Sequence, residues 1–195
     1  MIKKVLIIIV VLNLIGLINS CCETELNYKW IGVSSEIIDN SAVAPVISNS
    51  DSINKMAYGI RLHLKDSFLY YTHLPTFFNI TYATSCDKKD VEIHTIKNII
   101  IKTLYDFDDV KLKNADISNY FLARISTETT SNYSSILEIA NRFNDKNSID
   151  YKDDDSFDLF LMKQPSKIDT CRFQIEINLS DSSSISCTTR TIKLY

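Results

Sequence analysis

Glycine is nearly missing from this chain of 195 residues: there are three, Gly16, Gly32 and Gly59, and none lies in a phosphate-cradling run. Backbone amides approach a pyrophosphate closely only where side chains are absent, so a dinucleotide loop and a P-loop are excluded on inventory alone. The Gly-x-Ser-x-Gly nucleophile elbow is absent as well, which removes the largest esterase class. A basic block is also lacking. The formal charge is −3, and it becomes −5 without Lys3 and Lys4. An acidic chain of this kind repels phosphate backbones, so nucleic acid is not the expected partner.

The longest apolar run, Val5 to Ile18, is broken only by Asn13 and Gly16. It is shorter than the ~20 apolar residues a helix needs to cross a bilayer. Lys3 and Lys4 precede it and Ile18-Asn19-Ser20-Cys21 ends it, the pattern of a secretory signal with a cysteine at the cleavage point. The stretch resembles a bacterial lipoprotein signal, which implies removal of residues 1–20 and acylation of Cys21. Two or more acyl chains give stable anchoring where one gives only reversible binding. The competing reading is an ordinary secretory signal cleaved near Ser20, with Cys21 left as a plain thiol. On the lipoprotein reading 175 residues remain, divided into a tether at 21–29 and a single domain at 30–195, within the usual domain size of ~100–200 residues.

Periodicity predicts strands. Tyr58, Ile60, Leu62 and Leu64 alternate with Gly59, Arg61 and His63. Phe78, Ile80 and Tyr82 do the same. Ile99, Ile101, Thr103, Tyr105 and Phe107 share one face, and Ile100 with Leu104 on the other predicts a central strand. Phe157, Leu159 and Leu161 follow, then Cys171, Phe173, Ile175, Ile177 and Leu179. Ile185, Cys187 and Thr189 continue the alternation before a parity change at Ile192 and Leu194 that a bulge would produce. A weaker strand is predicted from Trp30 to Ile38. Ser135-Ile136-Leu137-Glu138 reads as a capping box opening a helix whose stripe is Ile136, Leu137, Ile139, Ala140 and Phe143, with Asn144 ending it left-handed. A shorter helical turn is predicted over Asp116–Phe121, capped by Asp116. Short strands with one or two inserted helices predict a mainly β fold, a β-sandwich, immunoglobulin-like or related.

These segments resemble the uncharacterised small lipoproteins of Bacteroidetes. The resemblance is carried by Cys21-Cys22, by Ile99 to Asp108 leading to Asp116-Ile117-Ser118-Asn119-Tyr120-Phe121, and by the chain end, with Phe157 to Leu161, Pro165, Phe173 to Asp181 and Thr191 to Leu194. The glycines expected before Asp116 and after Asp181 are Ala115 and Ser182. The resemblance implies a cell-envelope location, at the outer membrane, and a β-rich fold. It implies no chemistry.

Chemical constellations are sparse. Asp106, Asp108 and Asp109, and separately Asp153, Asp154 and Asp155, offer oxygens without the twelve-residue calcium loop, and solvated acidic turns are the expected reading. His63, His73 and His94 have no helical metal-ligand spacing and are expected at the surface. Cys86 with His94 lacks a third partner for thiol catalysis. With Cys21 acylated, Cys22, Cys86, Cys171 and Cys187 remain. Four thiols allow three pairings; a hairpin turning near Ser182 places Cys171 opposite Lys193 and Cys187 opposite Ile177, which disfavours a bridge between these two, with buried free thiols as their other reading, and Cys22 with Cys86 is a candidate disulfide that the sequence does not decide. The Asn-x-Ser/Thr triplets at Asn79, Asn132 and Asn178 are attributed to composition. No catalytic residue, metal or cofactor is assigned. The expected function is a membrane-anchored binding, adhesion or scaffolding module for a polysaccharide or an envelope protein. The alternative is a secreted glycosidase-like hydrolase using the Asp106 and Asp153 clusters.

Overall fold

The computed structural model describes residues 4, 24–69, 88–92, 94–126, 132–144, 155–166 and 169–195. The fold is mainly β, with 51% of the chain in strands and 10% helical, in several antiparallel sheets that do not close into a barrel. It divides into two compact units, residues 1–29 with 68–93 and residues 30–67 with 94–195. In the first, Thr24–Tyr28 at the start of strand β1 (Thr24–Asp39) pairs in parallel with β5 (Lys88–Glu92). Residues 24–29, expected as part of a tether, are therefore strand.

The second unit holds the core. Its largest sheet follows the order β2 (Val46–Ile47), β1, β4 (Tyr58–Leu69), β8 (Ser156–Leu161), β7 (Phe121–Ile125). A second sheet has β10 (Phe173–Leu179) between β11 (Ser184–Thr188) and β6 (Ile96–Thr103), and a third joins β3 (Ser52–Ile53), β12 (Ile192–Leu194) and β9 (Thr170–Cys171). The first two sheets meet through Phe173, which stands edge-on to Phe121 at 5.6 Å and tilted against Tyr58 at 5.9 Å. Strict alternation along β10 buries Phe173, Ile175, Ile177 and Leu179 against this centre, as the sandwich expectation requires. The single α-helix among the described residues, α1 (Ile136–Asn144), packs on β6 and β7 and sets Phe143 against Phe157 at 5.4 Å.

Several local expectations change. β8, an interior strand between β4 and β7, is buried on both faces, and β6 is not. β6 is an edge strand whose free side is sealed by other means. Ser118 Oγ accepts the Ile101 N–H, and the Ile117 N–H donates to the Ile101 carbonyl, each at 2.8 Å. The Asn144 side chain bonds both the N–H and the C=O of Ile96 at 2.8 Å, standing in for a neighbouring strand. Asn144 is thus the last helical residue and not a left-handed cap. Among the described residues the positive-φ positions are Asn114 (68°) and Ser182 (70°), so the turn before Asp116 takes its left-handed residue one place earlier than Ala115. Leu137 is 58% exposed, off the stripe formed by Ile136, Ile139, Ala140 and Phe143. Ser135 does cap, its Oγ accepting the Glu138 N–H at 3.2 Å. The short helical turn is a 3-10 turn over Ser118–Tyr120, and Asp116 Oδ1 accepts the Ser118 N–H at 2.8 Å.

The β10–β11 hairpin turns through Ser180, Asp181 and Ser182, with Leu179 N–H bonded to the Ser183 carbonyl. This three-residue loop places Cys187 opposite Ile175, not Ile177, and Cys171 pairs with Ile192 on β12. The parity change before Ile192 is a switch of sheets rather than a bulge.

Candidate functional site

Strands β4, β8 and β7 are neighbours in antiparallel register, and their side chains form rows across the sheet. Ile60–Leu159–Ala123 and Leu62–Phe157–Ile125 are apolar and buried. Rows of the opposite parity hold Gly59–Phe160–Leu122, then Arg61–Asp158–Arg124, then His63–Ser156. The same alternation that builds the core therefore collects the polar residues on the reverse face.

The charged row is the centre of that face. Asp158 is fully buried, and Arg61 grips it in a two-point contact, Nε to Oδ1 at 2.7 Å and Nη2 to Oδ2 at 3.0 Å. Arg124, 7% exposed on the other side of Asp158, is held differently. Its guanidinium carbon lies 5.6 Å from the Tyr133 ring centre and 5.4 Å from that of Phe160. Its Nε is buried with no hydrogen-bond partner. Tyr133 and Phe160 are themselves in edge contact at 4.9 Å, and the Tyr133 hydroxyl accepts from Asn40 Nδ2 at 3.1 Å. Gly59 is required in this neighbourhood by space: a Cβ there would stand 2.8 Å from Ile38 Cγ1 and 3.1 Å from the Leu159 carbonyl oxygen. In the third row, His63 Nε2 meets Glu36 Oε2 at 3.0 Å, and the Ser126 and Ser156 hydroxyls are hydrogen-bonded to each other.

The acids singled out in the sequence serve loops. Asp108 Oδ1 accepts the Val110 and Lys111 N–H groups at 2.9 and 2.6 Å, and its Oδ2 receives Lys163 Nζ at 2.7 Å. Lys163 also donates to the Tyr120 hydroxyl at 2.9 Å. The bond from Lys163, followed by the Lys111 amide, holds the Asp108 carboxyl well below the usual range, and the Asp108 carboxylate in turn raises Lys163. Asp106 accepts the Lys113 N–H at 2.8 Å. Asp155 gives its carbonyl to the Leu64 N–H, while Asp153 and Asp154 lie outside the described residues. Among the described residues no group of three or more His, Cys, Asp or Glu side chains could hold a metal ion.

His63 is paired with Glu36, His94 lies 3.5 Å from Asp181 Oδ2, and His73 is outside the described residues. So are Cys21, Cys22, Cys86 and Asn79. Cys171 and Cys187 are free thiols. Burial pushes Cys171 up to about 12, with Asp169 adding to the effect, which is the opposite of the depressed value a nucleophile needs. Asn132 is exposed, and Asn178 lies within β10 and donates to Asn98 Oδ1 at 2.8 Å.

Sequence reasoning missed the Arg61–Asp158–Arg124 row. The available signal was a charge at the wet position of each of three strand-like segments, but their alignment depends on long-range pairing, of which the Arg61–Asp158 bond spans 97 positions. Comparison with protein-family models, with curated proteins and with solved structures finds no match for this chain. No helix among the described residues is long and apolar enough to cross a membrane.

Proposed function

We propose that the protein is a cell-envelope lipoprotein, anchored at the outer membrane through acylated Cys21, whose β-sandwich is a non-catalytic binding module for a polysaccharide or an envelope protein. Its affinity with the small lipoproteins of Bacteroidetes belongs to the same proposal. The observation that carries the non-catalytic reading is the occupation of the carboxylates. Asp106, Asp108, Asp116 and Asp181 each accept hydrogen bonds from backbone amides of their own loops, and Asp158 is taken up by Arg61. A general acid–base pair needs carboxyl groups directed at a shared substrate position about 5–9 Å across. The four loop carboxylates are directed at their own backbone, and that of Asp158 at Arg61.

Two measurements test this reading. Full-length protein in detergent is screened against generic glycosidase, protease and esterase substrates, where no turnover is expected. Activity lost on Asp106→Asn or Asp108→Asn would establish the hydrolase instead. Intact mass and detergent partitioning then compare wild type with Cys21→Ser. Acyl mass on the wild type alone is expected, and an unmodified wild type removes the anchor.

A further inference from the structure

We infer that Arg124, beside the paired rings of Tyr133 and Phe160, is the recognition site for a carboxylate carried on a sugar ring, so that the ligand is an acidic saccharide. The inference rests on the binding-module reading and names its ligand class.

Charge is the first argument. The central row carries two guanidinium groups and one carboxylate, and the carboxylate is hydrogen-bonded at two points to Arg61 rather than to Arg124. Arg124 is therefore left as a buried cation whose contacts are two aromatic rings and whose Nε has no partner. A buried charge is ordinarily paired, and a buried polar atom without a partner calls for an explanation, such as a water, an ion or a functional role.

Geometry is the second. A guanidinium is planar, always charged, and matched to a carboxylate by two parallel N–H bonds. Here the two rings, in contact with each other at 4.9 Å, pack together beside the guanidinium and restrict it before any ligand arrives, which lowers the ordering cost of binding.

The third argument chooses the carrier of the carboxylate. Tyr133 is 43% exposed beside the cation, and its hydroxyl accepts from Asn40, which leaves its own proton to donate. An exposed aromatic face next to a hydroxyl donor suits the C–H face and the oxygens of a sugar ring. An acidic peptide is less well served, because peptides dock on sheets chiefly through backbone bonds at an edge, and this site lies on a face.

The test titrates full-length protein in detergent with a galacturonate oligosaccharide, its neutral galactose counterpart and an oligoglutamate peptide, each by calorimetry. The expected result is binding of the galacturonate oligomer that weakens with added salt, with the neutral oligomer at least about tenfold weaker and the peptide weaker still. Arg124→Lys keeps the charge and loses the planar fork, and is expected to weaken the acidic ligand by about tenfold or more. Should that buried variant fail to fold, Tyr133→Ala at the half-exposed ring is expected to weaken both sugars, and Tyr133→Phe to lose only the hydroxyl contribution. Equal affinity for acidic and neutral oligomers would overturn the Arg124 assignment while leaving the binding reading intact. Tighter binding of oligoglutamate, or no binding of galacturonate, would also overturn it. Failure of the wider reading shows instead as turnover in the substrate screen.

Discussion

At the level of single residues, the clearest consequences follow from what each side chain touches. Ile175 is fully buried at the centre of β10, and Ile175→Ala should cost about 2–5 kcal/mol through lost burial and a residual cavity. Its neighbour Glu176 faces the other way and pairs with Lys102 Nζ at 3.0 Å in a half-exposed setting. Glu176→Ala should therefore cost at most about 1 kcal/mol. Chemical denaturation of both variants checks the ordering, and a larger shift for Glu176→Ala would show the faces to be reversed. Asp158→Asn removes the fully buried carboxylate that Arg61 grips, and breaking such a buried pair costs about 3–5 kcal/mol. The faces of β10 were legible in the sequence because alternation alone sets them. The importance of Asp158 was not, since an aspartate between Phe157 and Leu159 looks like any wet-face residue until the register supplies Arg61 and Arg124.

At the level of elements, the sequence read strands well where both ends and both faces were marked, and read connections poorly. β10 and the capping serine of α1 came through because local pattern determines them. The placement of β6 did not. Its dense isoleucines suggest a central strand, yet it lies at a sheet edge, and what shields it is a loop at residues 114–118 and the side chain of Asn144. Those contacts join residues tens of positions apart and leave no periodic trace. Asn144→Ala should leave two backbone groups of Ile96 without their partner and destabilise by about 1–3 kcal/mol, with faster amide exchange at Ile96 as the local readout. The hairpin register failed for a related reason. A turn centred one residue earlier moves every partner by two, and only the left-handed Ser182 fixes the loop at three residues. Ser182→Gly should accordingly be neutral or stabilising by up to about 1 kcal/mol, because a left-handed conformation is strained for serine and free for glycine.

For the molecule as a whole, stability should be limited at the two ends of the pH scale by two different groups. Asp108 is held below its ordinary value chiefly by Lys163, so its contribution is present above the unfolded aspartate value and is lost as the pH falls through the folded one. Acid unfolding of Asp108→Asn should be less steep than that of wild type below about pH 4, where the unfolded chain takes up the proton first. Cys171 works in the other direction. Its folded value, raised by burial to about 12, lies above that of a free thiol near 8.5, so the folded state favours the neutral form. Its contribution is complete below the unfolded value and disappears as the pH climbs toward the folded one. Cys171→Ala should flatten the alkaline limb between about pH 9 and 12 while lowering stability at neutral pH by the loss of a buried side chain. The same burial makes a separate demand on reactivity. With native protein at pH 8, an alkylating reagent should modify the half-buried Cys187 faster than Cys171, and mass mapping of the two peptides decides between them. Rapid labelling of Cys171 would mean that β9 opens readily, and the third sheet would then be the weakest part of the core.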